Sequence, residues 1–530
     1  MALKEAFSTF TYTFTSNGRS EFYTSTTVVQ SLIIAVAVFA FGLVYALVGR
    51  NALYSGFPLV RANEDSKYTY AEAQAEWNVD GHRLIEKGLK QFKGFFQVVT
   101  AIGPRIIVPN KYVDEIRNDP HLSFTDAVNR EFFGDYPGFE AFRILKERDI
   151  FQEAIRIRLT QSLNFVTEEL ASEAHEVCSE ALGESEEWKE VRIKQTVMDL
   201  VARVSQRVFI GPDACRNDEW LTITKRYTVD SLNAARELRK WSPLLRPWVH
   251  WFLPSCRRVR AESAAARRIV HPIVAARRER NRLARERGEK GVAKVADAVG
   301  WLDESARGRP FDIAYGQLAF AVAATFTTTE LTTICMLNLC AYPEYVKPLR
   351  EEIVEVLGET GWKKAALQKL RLMDSFVKES QRLQHEVRAT ITRRAKQTIT
   401  LSDGTVIPKD AMLFVSTDTA MDPSVFPDPH VFNGRRFLEM RARPGQENRW
   451  QLATTSAEHL GFGHGQHACP GRFFAANEIK VLLIFMLMKY DWRLPEGQSP
   501  VPDIRRFAHE KFVNPEAKLM VRRREEEIEI

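Results

Sequence analysis

The chain has 530 residues, of which 45% are hydrophobic and 27% are charged, and these values exclude a disordered or collagen-like protein. Its net charge of +6, from 74 basic and 68 acidic residues, is too small to indicate nucleic acid binding, and we expect no nucleic acid partner. The six cysteines contain no CxxC pair, which indicates a reduced compartment and excludes a disulfide scaffold or a zinc ribbon.

An apolar run near the amino terminus predicts one membrane-spanning helix. Residues 28–48, VVQSLIIAVAVFAFGLVYALV, carry no charge and span about 31 Å as a helix. A cleaved signal peptide is the alternative, but the run begins late and no small-residue cleavage site follows it. Basic residues are more frequent after the run than before it, which favours a cytosolic carboxy-terminal part. We therefore expect a luminal segment (1–27), an anchor (28–48) and a cytosolic catalytic domain (50–530).

The middle of the chain, residues 70–341, mixes charged and apolar residues at helical spacing. Eleven arginines lie between Arg257 and Lys290. They could meet an anionic partner or a lipid surface, but the interleaved glutamates favour a solvated helix face.

Residues 318–340 are apolar all round, which predicts a helix buried in the core. The segment contains six threonines, at positions 325, 327, 328, 329, 332 and 333. A threonine hydroxyl can bond the carbonyl one turn back and open the helix toward a small ligand. The alternative is a core helix whose hydroxyls are satisfied internally, and the sequence leaves both possibilities open.

Two short patterns precede the strongest motif. Glu379 and Arg382 are three residues apart and share a helix face, a spacing that by itself is common in surface ion pairs. Residues 399–408 read as two short strands around an AspGly turn.

The strongest motif is FGHGQHACPG, residues 462–471. Glycines at 461, 463 and 465 permit a tight loop with close backbone approach to a flat group. Pro470 suits the first position of a helix that we expect to run from about Arg472 to Tyr490. The helix dipole would favour the thiolate of Cys469, which haem iron can take as an axial ligand. The alternative is an inert buried cysteine.

This loop resembles the haem-binding loop of the cytochrome P-450 superfamily, Phe-x-x-Gly-x-x-x-Cys-x-Gly. Phe462, Gly465, Cys469 and Gly471 match that pattern. The threonine helix, ExxR, ArgArgPhe and cysteine loop also follow one another as in that family, so the resemblance covers nearly the whole chain. It implies a mainly α fold with small β-sheets, the cytochrome P-450 fold, with one amino-terminal transmembrane helix.

The resemblance also implies roles for individual residues. Cys469 would bind the iron of haem b, and His467 and Arg393 would face the propionates, although Arg394 is adjacent to Arg393. Phe462, Gly463 and Gly465 would form the cofactor-binding loop. Thr327 would be the catalytic threonine beside bound oxygen.

Further implied roles are structural. Glu379, Arg382 and Arg436 would form a buried triad. Phe320, Ala323 and Ala324 would line the substrate pocket. Many members have an acid before the helix threonine, whereas this chain has Phe326, so the protons would have to come from another group, water or the substrate.

The implied function is that of a haem-thiolate monooxygenase that inserts one oxygen atom from O2 into an apolar small molecule. NADPH would supply electrons through a separate cytochrome P-450 reductase. We expect a monomer in contact with membrane lipid, held in the endoplasmic reticulum by a single span. The segment HACPGRFFAANEIK is similar to filamentous-fungal enzymes of secondary metabolite biosynthesis, including ent-kaurene oxidase-like and indole-diterpene oxygenases, which implies a terpenoid or terpenoid-alkaloid substrate.

Two alternatives remain at this point. One is a haem-thiolate isomerase, dehydratase or peroxygenase that needs no reductase, which Phe326 favours. The other is a non-catalytic haem or lipid-binding membrane protein.

Overall fold

The computed structural model describes residues 15–16, 19–20, 30–35, 37, 52–64, 69–288, 296–384 and 389–530. The chain divides into two units, Met1–Leu53 and Tyr54–Ile530. In the first unit, strands β1 (Thr15–Ser16) and β2 (Arg19–Ser20) pair in antiparallel fashion.

Helices form most of the second unit. In chain order they are α1 Tyr70–Gln91, α2 Val113–Ile116, α3 Phe124–Phe132, α4 Glu140–Arg143, α5 Arg148–Glu153, α6 Leu163–Leu182, α7 Ile193–Phe209, α8 Asp218–Arg239, α9 Arg246–Val249, α10 Pro254–Glu286, α11 Ala298–Ala306, α12 Ile313–Ala341, α13 Val346–Thr360, α14 Lys364–Lys369, α15 Arg371–Gln384, α16 Arg436–Arg441 and α17 Arg472–Lys489.

The strands of the second unit form small sheets beside the helices. They are β3 Phe96–Thr100, β4 Gly103–Val108, β5 Leu122–Ser123, β6 Lys189–Arg192, β7 Ala389–Ala395, β8 Ile399–Thr400, β9 Val406–Ile407, β10 Met412–Ser416, β11 Tyr490–Arg493, β12 Ile504–Phe507, β13 Glu510–Val513 and β14 Lys518–Arg523. The largest sheet has the order β3-β4-β10-β7-β5, with β4 and β10 parallel. The others are β11-β14-β6 and the hairpins β12-β13 and β8-β9. A mainly helical fold with small sheets is thereby confirmed.

Helix α12 lies in the main hydrophobic core, as its apolar sequence predicts. Twenty of its residues are buried, and it packs against α7, α8 and α10. Phe320 stacks on Phe209 of α7 with 5.0 Å between ring centroids, and Phe209 lies 5.3 Å from Phe474 of α17. This row of rings joins the threonine helix to the helix that follows Cys469.

The prediction of a helical middle was wrong for residues 96–108. They form the antiparallel pair β3-β4, which turns at Gly103, whose φ is +124°. β-Branched residues dominate the strand ends, Val98-Val99 and Ile106-Ile107-Val108, and all of them are buried. Side chains buried on both sheet faces give a continuous apolar run instead of an alternation, so the period-two signal is lost.

Six of the ten arginines of α10 form ion pairs among the described residues, and five of the six lie on its surface, whereas Arg277 is buried. Arg258 pairs with Asp230, Arg267 with Asp312, and Arg278 with Asp303. These local partners support the interpretation of this arginine-rich helix as a solvated, salt-bridged face.

In the described part of the chain, one helix is long and apolar enough to span a membrane. It is α12, which is 67% buried over its most apolar window and therefore belongs to the core. Of the expected anchor at 28–48, residues 30–35 and 37 are described, as exposed helical residues, and the rest lies outside the described residues. The anchor stays a prediction.

Candidate active site

The loop that carries Cys469 is held by its own backbone. The N–H of Cys469 donates to the carbonyl of Phe462 at 2.8 Å, and the N–H of Gly463 donates to Leu460 at 2.8 Å. Gly463 and Gly465 have φ of +68° and +74°, a conformation that favours glycine. A Cβ at Gly465 would also lie 2.7 Å from the Cβ of Arg117. The loop therefore keeps a fixed shape in front of helix α17.

Cys469 precedes α17, whose first residue is Arg472 and whose N-cap is Gly471. Pro470 therefore lies before the helix and not at its first position. Burial raises the pKa of the Cys469 thiol, while the backbone N–H of Gly471 and the charge of Arg472 lower it. The backbone N–H groups at the start of the helix favour the thiolate as expected, but burial has the larger effect, so the pKa of the thiol is raised overall. A bound metal ion would deprotonate a coordinating thiol by its own charge.

Helix α12 presents a small exposed face in its otherwise buried middle. Ala323 and Thr327 lie one turn apart and are both exposed, and Ala324 is half-buried. The Thr327 hydroxyl donates to the Ala323 carbonyl at 2.8 Å. Phe320 differs from them, since it is 4% exposed and packs between Phe151 and Phe209. The small side chains leave room for a flat group beside the helix.

The other threonines of α12 agree fully neither with a helix that opens toward a ligand nor with a core helix whose hydroxyls are all satisfied internally. The helix is continuous from Ile313 to Ala341, so no local opening is seen. However, the hydroxyls of Thr325, Thr329, Thr332 and Thr333 are buried without a hydrogen-bond partner among the described residues.

Phe326 and Glu330 contact a buried lysine. The Nζ of Lys194 lies 5.8 Å from the centroid of the Phe326 ring and pairs with the Glu330 carboxylate. Glu330 also accepts from the N–H of Val513 at 2.9 Å. Glu330 is thus engaged away from the exposed face of α12.

Arg393 and His467 both lie close to one aromatic ring, that of Phe124. The Cζ of Arg393 is 5.8 Å from the centroid of Phe124, and the rings of Phe124 and His467 are 6.1 Å apart. The Arg393 side chain is on the buried side of β7, whereas the adjacent Arg394 pairs with Asp410. The sequence did not predict that Phe124 lies beside these two residues, because no motif links segments so distant in the chain. The two polar groups suit the two carboxylates of a haem.

Glu379 accepts hydrogen bonds from two arginines in the core. Arg382 donates to both of its carboxylate oxygens, at 2.8 and 2.9 Å, and Arg436 donates to one at 2.9 Å. The side chains of Glu379 and Arg382 are 0% exposed, and that of Arg436 is 7% exposed. The remaining guanidinium N–H groups of Arg436 donate to the carbonyls of Pro427, Asp428 and Val431. Every guanidinium nitrogen of Arg382 and Arg436 thus has an acceptor, as a buried charge cluster requires.

The cysteine loop also contacts the α2 region, which no motif in the sequence predicted. His464 lies 2.8 Å from an Arg117 guanidinium nitrogen and 3.2 Å from Asp114, both near the end of α2. Burial and the nearby Arg117 charge lower the pKa of His464, although Asp114 raises it. The N–H of Gln466 also donates to Asn118 at 2.8 Å. These contacts attach the loop to the α2 region.

The residues described above fit a haem held through sulfur. A cysteine stands in a rigid glycine loop, a small exposed helix face offers room for a flat group, and Arg393 and His467 offer charge and hydrogen bonds to carboxylates. Among the described residues, no group of three or more His, Cys, Asp or Glu side chains could hold a metal ion without such a ring.

Comparisons with known proteins find a matching family and several similar sequences. The sequence model of the family described as Cytochrome P450 matches residues 127–523. A protein named cytochrome P450 monooxygenase bsc2, from Alternaria brassicicola, is 44% identical over 479 residues, which cover 90% of this chain and 91% of that protein. Cytochrome P450 monooxygenase adrA of Penicillium rubens is 40% identical over 89% of this chain and 93% of its own length. Cytochrome P450 monooxygenase pyr3 of Aspergillus fumigatus is 37% identical over 94% of this chain and 95% of its own length.

Proposed function

Because this chain belongs to the cytochrome P450 family and is a monooxygenase, we propose that its substrate is a terpenoid or terpenoid-alkaloid of secondary metabolism. Members of this family use a haem with a cysteine thiolate ligand and electrons supplied from NADPH by a reductase. The similarity of residues 467–480 to terpenoid oxygenases of filamentous fungi supports the substrate class. The small exposed face at Ala323 and Thr327 supports an apolar substrate beside α12.

In this proposal Cys469 would hold the haem iron through its sulfur, and Arg393 and His467 would bind the propionates. A thiolate-ligated haem, when bound, supplies cleavage of the O–O bond of dioxygen. Ala323 and Ala324 leave space for the substrate, and the apolar surroundings of α12 exclude water. The protein contributes orientation and electrostatics, which is its usual share of the work in a cofactor enzyme.

Thr327 is the proposed proton-holding residue. Its hydroxyl donates to the Ala323 carbonyl and must rotate away before it can donate to a bound ligand. Phe326 cannot resupply the proton, and Glu330 is engaged by Lys194 and Val513. Water or a substrate hydroxyl therefore has to recharge Thr327.

The presence of Phe326 in place of an acid also favours a second candidate function. A family member without an acid at position 326 could act as an isomerase, dehydratase or peroxygenase, for which no reductase is needed. Incubation of the haem-loaded chain with a terpenoid panel, with and without NADPH and reductase, separates the two. Product that needs both supports the monooxygenase proposal, and product formed without them supports the alternative.

We also propose that the protein is held at the endoplasmic reticulum membrane, through residues 28–48 and through an aromatic surface around α9. Five large apolar side chains there are 41–72% exposed: Trp241, Leu245, Trp248, Trp251 and Phe252. Exposed tryptophan and phenylalanine at this density are typical of a surface that enters the lipid interface.

A further inference from the structure

A cavity with an excess of positive charge lies outside the proposed haem site. It is formed by residues of α1, β4, α3, α8, β10 and the β12-β13 hairpin, and its volume is about 100 Å³. Its titratable lining residues, called here the basic cavity, are Arg105, Glu131, Arg236, Arg239, Lys240, His509 and Glu510. None of the residues assigned above to the haem or to Thr327 lines it.

The cations of the basic cavity outnumber its carboxylates. Arg105 pairs with Glu131 at 3.4 Å, and Arg236 pairs with Glu510 at 2.6 Å. Arg239 instead donates to the backbone carbonyl of Glu131, at 3.2 and 2.9 Å. Within the described chain, Arg239 and Lys240 therefore form no ion pair with a carboxylate, although the more distant charges of Glu131 and Glu510 act on Arg239.

Two buried polar atoms of this cavity also lack a partner among the described residues. They are the Nε of Arg105, whose side chain is 1% exposed, and the Nδ1 of His509. Burial lowers the pKa of His509, and Arg105 and Arg239 lower it further, while Glu510 and Glu131 raise it. A neutral His509 can donate or accept, so the cavity offers hydrogen bonds in addition to charge.

The guanidinium of Arg105 is held in place by the protein itself. Its Cζ lies 3.8 Å from the centroid of the Phe414 ring, and one of its terminal nitrogens lies 3.5 Å from the Thr392 hydroxyl. A guanidinium stacked in this way is oriented before any ligand arrives, which lowers the entropy cost of binding a planar anion.

Apolar side chains complete the lining, among them Trp77, Ile102, Phe414 and Phe507. We propose that the basic cavity binds the carboxylate of a small organic acid whose body is apolar. The volume is below the roughly 150 Å³ that holds benzene, so the cavity takes a head group and not a whole terpenoid. A carboxylate is favoured because its planar oxygens match guanidinium N–H groups.

Benzoate and its neutral isostere benzamide test this site. Equilibrium dialysis at low ionic strength against the full-length, haem-loaded protein gives both dissociation constants. The proposal predicts that benzoate binds about tenfold or more tightly than benzamide, because charge-assisted hydrogen bonds form only with the anion. Equal affinities overturn it.

Two variants locate the binding. Arg239→Gln should weaken benzoate about tenfold and leave benzamide unchanged, whereas Arg268→Gln, a matched change at a 74% exposed arginine, should leave both unchanged. The assignment is overturned if both variants lose the same amount of benzoate affinity, or if Arg239→Gln loses none. If circular dichroism shows that Arg239→Gln does not fold, the test uses Lys240→Gln instead, since Lys240 is exposed. This variant should lower the affinity for benzoate about two- to threefold. Unchanged affinity overturns the proposal.

Discussion

Replacing Glu379 by glutamine removes the carboxylate that two buried guanidinium groups share. The substitution keeps the shape of the side chain, so it creates no cavity. Arg382 would keep its contact with the carbonyl of Ala420 at 2.8 Å, and Arg436 would keep its carbonyls in the segment before α16. Neither arginine would keep the carboxylate that now neutralises it.

The size of the effect follows from burial. Removing one partner of a buried ion pair costs about 3–5 kcal/mol, because the other charge remains desolvated and unpaired. Here Glu379 and Arg382 are completely buried and Arg436 is 7% exposed, so solvent does not screen the loss. Domains are stable by only about 5–15 kcal/mol. We therefore expect Glu379→Gln to lose about 3–5 kcal/mol of the free energy of unfolding.

Urea unfolding followed by circular dichroism measures that free energy. The control is Glu279→Gln, which removes the partner of Arg282 in a pair that is more than half exposed on both sides. That change should cost far less than Glu379→Gln, because solvent screens an exposed ion pair. If the two variants lose the same small amount, or if Glu379→Gln is as stable as the parent, the structural role assigned to the triad is wrong.

Three further predictions concern the helices and the surface. Thr327→Ala should retain the haem but release reduced oxygen as peroxide, measured as peroxide formed per NADPH consumed; unchanged coupling would remove the role assigned to this hydroxyl. Burial raises the pKa of Glu478 from 4.5 to about 8, so the stability that its protonated form provides is complete below about pH 4.5 and declines as the pH rises to about 8, by at most ~1.4 kcal/mol per unit. Glu478→Gln should abolish this decline in urea titrations at several pH values, and an identical pH profile would refute the shift. Trp248→Phe should reduce the fluorescence quenching of the full-length protein by brominated lipids, whereas Trp301→Phe, at a buried position, should not; equal effects would argue against lipid contact at α9.

The parts of the fold that the sequence predicted are those with local signals. Helix α12 follows from an unbroken apolar run, α17 from the residues after the cysteine loop, and the β8-β9 hairpin from its AspGly turn. Strands β3 and β4 have no alternating pattern, because the sheet buries both of their faces.

The candidate site divides in the same way. Cys469 and Glu379 stand in short motifs that can be recognised without a structure. The proximity of Phe124 to both Arg393 and His467, and the contact between Arg117 and His464, depend on packing between distant segments. The direction of the Cys469 pKa also needed the structure, because burial outweighs the effect of the helix terminus.

The sulfur ligand is the central claim, and the absorbance spectrum of the reduced, carbon monoxide-bound protein tests it most directly. Cys469→Ser should lose the band that is characteristic of thiolate-ligated haem. Cys340→Ser, at the other half-buried cysteine, should keep it. A thiolate band that persists in Cys469→Ser, or that disappears only in Cys340→Ser, would contradict the account.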